Sequence, residues 1–286
     1  MLIEAVERNS KCRLNVDKDN GFIIEYDAYW WNEDLYFDSF INSMFKFTFK
    51  YPNSEDLEEE QFNQVKSSVY EMENYIIGGG NIYDKLDVNS FVSWVLAQDL
   101  LGNMDGWGSN IFMTKFNALD DSKFMMGNMW DFDDILLAQN RFSSCHNKFY
   151  FEKLFEDTSF KRDYFNLWEI VKQTFLDNIQ DELFNLLNSE LGESIDVSRK
   201  HDSERWNHNY TSLKEDVNNA IRYFQSREVW LDREIKKMED ESQTVDIEQK
   251  HLNRHYTNNI YDLSGKVHRG MESGVVVKDG KKYLSH

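Results

Sequence analysis

Proline and cysteine are nearly missing from this sequence, and positive charge is well outnumbered by negative. One proline, Pro52, stands in 286 residues, where about 5% is ordinary. No repeat or low-complexity block accompanies it, which excludes a proline-rich stalk or linker. The two cysteines, Cys12 and Cys145, cannot build a disulfide framework, and neither has a partner at zinc-ligand spacing. Lys and Arg number 32 against 51 Asp and Glu, a formal net charge of −19. Such a surface lacks the cations that a phosphate backbone requires, so no nucleic acid is expected as a partner. No run of about 18 apolar residues occurs, so no membrane span is expected either. The opening MLIEAVERNSKCRLNV has neither the basic region nor the apolar stretch of a secretory signal. It reads instead as a short strand entered without a preceding turn, as in a piece of a longer chain.

What is abundant is surface to bury. Hydrophobic residues make up 41% of the chain and aromatics 15%, more than disordered chains carry and enough for one large core or two modest ones. GFIIEYD and MFKFTFKYP, within residues 21–52, read as strands. In the second, Phe45, Phe47 and Phe49 alternate with Lys46, Thr48 and Lys50. An aromatic loop, AYWWNEDLYFDSF, joins them. Glu25 and Asp27 fall on the polar face of the first strand, where a structural role is the default and reaching the cleft is the lesser alternative. Ser54 is the candidate cap of a helix with an acidic first turn and the stripe Phe62, Val65, Val69, Met72. Gly78–Gly80 ends it, having neither the G-x-G-x-x-G form nor the lysine of a phosphate loop. Asp87 caps the next helix, which runs to Gly102. A loop then leads into a hairpin over 110–132. The pattern from Tyr150 to Leu191 is helical, most continuously over LWEIVKQTFLDNIQDELFNLL, and a long helix is expected from about Thr211 to Glu241. The end of the chain is strand-like, with Asp279-Gly280 as a hairpin turn. His251 and His255 are four apart, but the glutamate of H-E-x-x-H is absent, so they belong to a solvated linker. The expected division is 1–242 for the main domain, 243–259 for a linker and 260–286 for a strand-rich tail. The fold class is α+β, mainly helical, with a small strand layer on which the helices near 58–77 and 88–101 pack.

One constellation carries chemistry. Asp105 sits in a loop directly after a helix, Asn110 follows five positions on, and a hairpin then leads to Asp131-Phe132-Asp133. This is the order of catalytic groups in the protein-kinase fold. Phosphoryl transfer needs a carboxylate at the incoming hydroxyl and oxygen ligands for Mg²⁺, which favours one or two carboxylates. Three departures stand out: Asn103-Met104 replaces the usual His-Arg, Asp133 replaces the glycine after Asp-Phe, and the stretch from the aspartate to the metal segment is longer than usual. Trp107 and Trp130 are read as core or cleft-wall rings rather than nucleotide-stacking groups.

At LDVNSFVSWVLAQDLLGNMDGWGSNIFMTKF and KFMMGNMWDFDD the sequence resembles the CotH family, the spore-coat-protein-H-like atypical protein kinases. GFIIEYD, FKYP and Glu204-Arg205-Trp206 follow in that family's order, and the resemblance covers roughly residues 1–235. It implies an atypical kinase-like C-terminal lobe. By resemblance Asp105 is the catalytic aspartate, Asn110 a metal-side amide that with Asp131 serves the nucleotide, and Asp131 and Asp133 the metal carboxylates. The cofactors implied are Mg²⁺ or Mn²⁺, with ATP as co-substrate. The partner implied is a Ser/Thr-bearing protein, and the net charge favours a basic one. Localisation by resemblance is extracellular or at the cell surface. The family's upstream half, with its basic nucleotide-clamping residues, has no counterpart; LIEAVERN resembles the junction between lobes. An enzyme is therefore expected of a longer parent, with the isolated chain inactive. The alternative is a non-catalytic surface scaffold, whose aromatic loop (Tyr29, Trp30, Trp31, Tyr36, Phe37) contacts a glycan or a partner protein.

Overall fold

The two strand-like runs become the middle of one antiparallel sheet. The computed structural model describes residues 6–9, 14–108, 110–255, 261–262, 274–278 and 281–285. The expected opening strand falls mainly on residues 1–5, outside the described residues. Two compact units divide the chain, Met1–Ile235 and Lys236–His286.

In the first unit, β1 (Phe22–Asp27), β2 (Tyr36–Asp38), β3 (Lys46–Tyr51), β4 (Ile111–Lys115) and β5 (Phe124–Met126) form the sheet. Their order is β2-β3-β1-β4-β5. β1 is central because both its neighbours can cover it: all six of its residues are buried. It pairs antiparallel with β3 and with β4, Glu25 lying opposite Thr48 on one side and Phe112 on the other. The alternation expected in β3 is only half obeyed. Phe47 and Phe49 are buried, but Thr48 on the other face is buried too, its hydroxyl 3.2 Å from Asp27 Oδ2. The aromatic segment expected as a loop contains β2, whose Phe37 turns inward while Tyr36 and Asp38 face out.

Helix α1 (Glu59–Gly78) starts later than Ser54 suggests. Glu58 and Gln61 make the reciprocal bonds of a capping box, and Ser54–Asp56 is a separate 3₁₀ turn. At its end Gly79 takes φ +68°, the left-handed stop that glycine adopts without strain. Helix α2 (Val88–Leu101) is capped by Asp87, which accepts from the Ser90 N–H, and is stopped by Gly102 at φ +60°. It is buried on nearly all sides because it lies against β5 and against α4. Each large side chain sealed there, such as Phe91 or Phe151, contributes about 1.5–3 kcal/mol. The helical region after Tyr150 is four helices: α3 (Phe151–Leu154), α4 (Thr158–Val171), α5 (Phe175–Leu187) and α6 (Glu190–Trp206). The run expected to be most continuous is broken between Val171 and Phe175.

Helix α7 (Leu213–His255) runs past Glu241. The stretch expected as a linker is therefore helical as far as His255, and residues 256–259 lie outside the described residues. In the second unit β6 (Tyr261–Asp262), β7 (Gly274–Lys278) and β8 (Lys281–Ser285) make a three-stranded sheet. Lys278 pairs with Lys281, which leaves a two-residue connection at the expected turn; Asp279 and Gly280 themselves are outside the described residues.

Candidate active site

The strand register decides what meets what. β1 ends, and β3 and β4 begin, at one end of the sheet, where Tyr26 lies opposite Ile111 and Asp27 opposite Lys46. β5 ends there as well, since Met126 pairs with Met113. Asn110, just before β4, and Asp131, soon after β5, are thus delivered to the same edge. Asn110 Nδ2 donates to Asp131 Oδ2 at 3.3 Å. Both residues have left-handed backbone, φ 64° and φ 57°, a conformation that costs L-residues free energy and that Asn and Asp tolerate best.

Asp105 is exposed on the loop after α2. Its N–H donates to Asn103 Oδ1 at 2.9 Å, so the residue standing where kinases carry histidine shapes this turn. The segment after Asp131 is strapped to the same loop: Met104 N–H donates to the Asp134 carbonyl, Leu136 N–H to that of Leu101 and Ala138 N–H to that of Gly102. Behind the loop, buried Arg227 of α7 donates to the carbonyls of Asp99, Ala138 and Arg141.

The carboxylates are crowded with their own kind. Partial burial pushes the Asp131 carboxyl above its ordinary range; the neighbouring Asp133 carboxylate and the charge of Asp105 add to this, and Asn110 opposes them. Asp105 is raised likewise by desolvation, then by Asp134 and Asp133. The predicted residues Asp105, Asn110, Asp131 and Asp133 therefore share one field. Among the described residues no group of three or more His, Cys, Asp or Glu side chains is arranged to hold a metal ion. The set Asn110, Asp131 and Asp133 offers two carboxylates and an amide oxygen, hard donors under mutual repulsion, and that chemistry suits a small divalent cation.

Sequence reasoning gave Glu25 a structural role by default and did not pair it with Asn110. Its Oε1 accepts the Asn110 N–H at 3.1 Å, and its Oε2 lies 3.1 Å from Lys50 Nζ, which also reaches Glu33 at 3.3 Å. Burial raises the Glu25 carboxyl, with Lys50 and the Asn110 amide working against it. Trp107 packs on Phe45, and Trp130 meets Phe112 edge-on, as wall residues would. Glu204, Arg205 and Trp206 close α6 and are exposed. A groove of about 820 Å³ opens elsewhere, at Glu58–Glu60, Glu71 and Leu119. It adjoins the β4–β5 turn, at the opposite end of the hairpin from Asn110.

A loop aspartate, a loop asparagine and an Asp-Phe pair after a hairpin, carried on an α+β scaffold, define a kinase-like protein. The family model described as CotH kinase protein matches residues 1–231, and the chain belongs to that family. Membership points to ATP and a divalent metal in general. A comparison with curated proteins returned no match. No helix among the described residues is long and apolar enough to cross a membrane.

Proposed function

We propose that this chain carries the phosphoryl-transfer groups of a CotH-type kinase, acting from ATP on a Ser or Thr hydroxyl of a secreted or surface protein. The observation that supports the reading best is the Asn110–Asp131 bond between two left-handed residues at the end of the sheet, with the charge of Asp105 acting on Asp131. Backbone held in sparsely populated conformations gathers at functional sites. Asp105 orients the substrate hydroxyl and takes its proton as the oxygen bonds to the γ-phosphorus and the bond to the ADP oxygen breaks. Its carboxyl, raised by partial desolvation and by Asp134 and Asp133, is a better proton acceptor than an ordinary aspartate. Asn110, Asp131 and Asp133 would hold Mg²⁺ or Mn²⁺, which when bound offsets negative charge on the phosphates. The net charge of −19 favours a basic protein substrate through steering.

A non-catalytic surface module is the second reading, favoured by Tyr29 and Trp31, which are 61% and 60% exposed. Titrating Mn²⁺ and then ATP into wild type and Asp131→Ala separates the two, with transfer of labelled γ-phosphate to a Lys- and Ser-rich protein as the second readout. Divalent binding lost in Asp131→Ala is the result expected. Equal divalent binding by the two proteins would overturn the kinase reading.

A further inference from the structure

Asn110 has a backbone problem that its own strand does not solve. It precedes the first residue of β4, and the β1–β4 pairing begins at Ile111, so its N–H lies beyond the sheet ladder. Its φ of 64° is one that a linear approach to a strand would not hold. The acceptor it finds comes from the central strand: Glu25, only 8% exposed, whose Oε1 takes the Asn110 N–H. A buried carboxylate with one oxygen so used needs its other oxygen satisfied as well. Lys50 supplies that contact from β3 and is itself steadied by Glu33 from the loop above. Glu33, Lys50, Glu25, Asn110 and Asp131 thus form one continuous chain of polar contacts, ending on the residues assigned to the metal.

We infer that Glu25, oriented by Lys50, is a positioning residue that holds Asn110 in the left-handed conformation presenting its amide to Asp131 and the metal; this rests on the reading of the site proposed above. The role differs from that of an ion pair which merely stabilises the sheet. A sheet-stabilising pair would lower the melting temperature when broken and leave Asn110 alone. A positioning carboxylate acts on one amide and one cation site, and an amide oxygen at the same place should replace it. Outer groups that orient metal ligands are worth about 10–100-fold in affinity.

The test uses the 286-residue chain, with hydrogen exchange at the Asn110 amide and Mn²⁺ binding by electron paramagnetic resonance. Glu25→Leu should speed exchange at Asn110 by about 10-fold or more and weaken Mn²⁺ by about 10–100-fold. Glu25→Gln, which keeps an acceptor oxygen at the same reach, should restore both to within about threefold. Glu25→Asp keeps the charge but falls one methylene short; it should behave like Glu25→Leu, and it decides the matter if the leucine variant does not fold. Protection at Asn110 and Mn²⁺ affinity unchanged in Glu25→Asp would overturn the inference. Loss of Mn²⁺ in Asp131→Ala with no loss in Glu25→Leu or Glu25→Asp would overturn it while leaving the kinase reading intact. Equal Mn²⁺ binding by wild type and Asp131→Ala would instead overturn the kinase reading and with it any metal-directed role for Glu25.

Discussion

Asp99 and Asp131 lie to either side of Asp105 in the chain, and the fold treats their carboxylates in opposite ways. Asp99 is fully buried in α2. It accepts from the Ser143 N–H and hydroxyl and from Tyr164, and it meets His146 Nδ1 at 2.9 Å. Burial works against its charge, but the attraction and hydrogen bond of the His146 ring, with Ser143, outweigh burial and hold the carboxyl below its ordinary value. Asp131 is half-exposed, has one amide donor and sits among other aspartates, so its carboxyl is pushed up. The first arrangement spends hydrogen bonds to fix a charge in place. The second leaves charge uncompensated at an accessible edge, where a cation or a proton has something to gain. The two acids thus differ in their partners rather than in any local sequence signal.

The largest effect expected tests the functional side. In a form of the protein that transfers phosphate, Asp105→Ala should lower the rate by about 10²–10⁴, as for loss of a general base, with ATP affinity close to wild type by calorimetry. A full rate in that variant would reduce the D-x4-N spacing to loop chemistry.

Much of the scaffold was legible because its signals are local. Asp87 and Gly102 mark the ends of α2 from one side chain and one glycine, and the Asp105–Asn110 spacing with the Asp-Phe-Asp segment points to the site edge. Other features were hidden for physical reasons. Ser54 looked like a cap, but four residues on Glu58 and Gln61 cap each other, and that pairing sets the helix start. Helix α6 buries little, with Gly192 and Ser203 its only buried residues, so no apolar stripe announced it; Ser189, which accepts from the Gly192 N–H, was its one readable signal. For Glu25 the sequence showed a strand-face position but not the partner. Its bond to Asn110 crosses 85 positions and exists only in the register that sets Glu25 beside Phe112.

The next effect tests the structural side. Asp99→Ala strands His146, Ser143 and Tyr164 in the core, and breaking a buried pair in this way costs about 3–5 kcal/mol, measurable by denaturant unfolding. Its pH dependence follows from a depressed carboxyl. The stabilisation is full above the ordinary aspartate value of 3.8 and is lost as pH falls below it through the folded-state value. The stability gap between wild type and Asp99→Asn should therefore close below about pH 3.8. A gap that stays open in acid would mean the loss comes from packing and not from the carboxylate's charge.

The smallest effect expected has the opposite sign, and so bears most directly on the contrast. Asp131→Asn removes a negative charge from a cluster in which Asp133 and Asp105 both repel it, and it keeps an oxygen able to accept from Asn110 Nδ2. Like charges at a solvent-accessible edge are worth little, so the gain should be about 0.5 kcal/mol at neutral pH and should shrink as salt screens the cluster. The same change removes one of two carboxylates from the candidate cation site, so Mn²⁺ binding should fall with it. A variant that melts higher while losing the metal is the signature of a residue kept for function against stability. Asp131→Asn that instead destabilises the fold, on the scale of Asp99→Ala, would show that Asp131 is held by its partners as Asp99 is, and the two carboxylates would then belong to the same class.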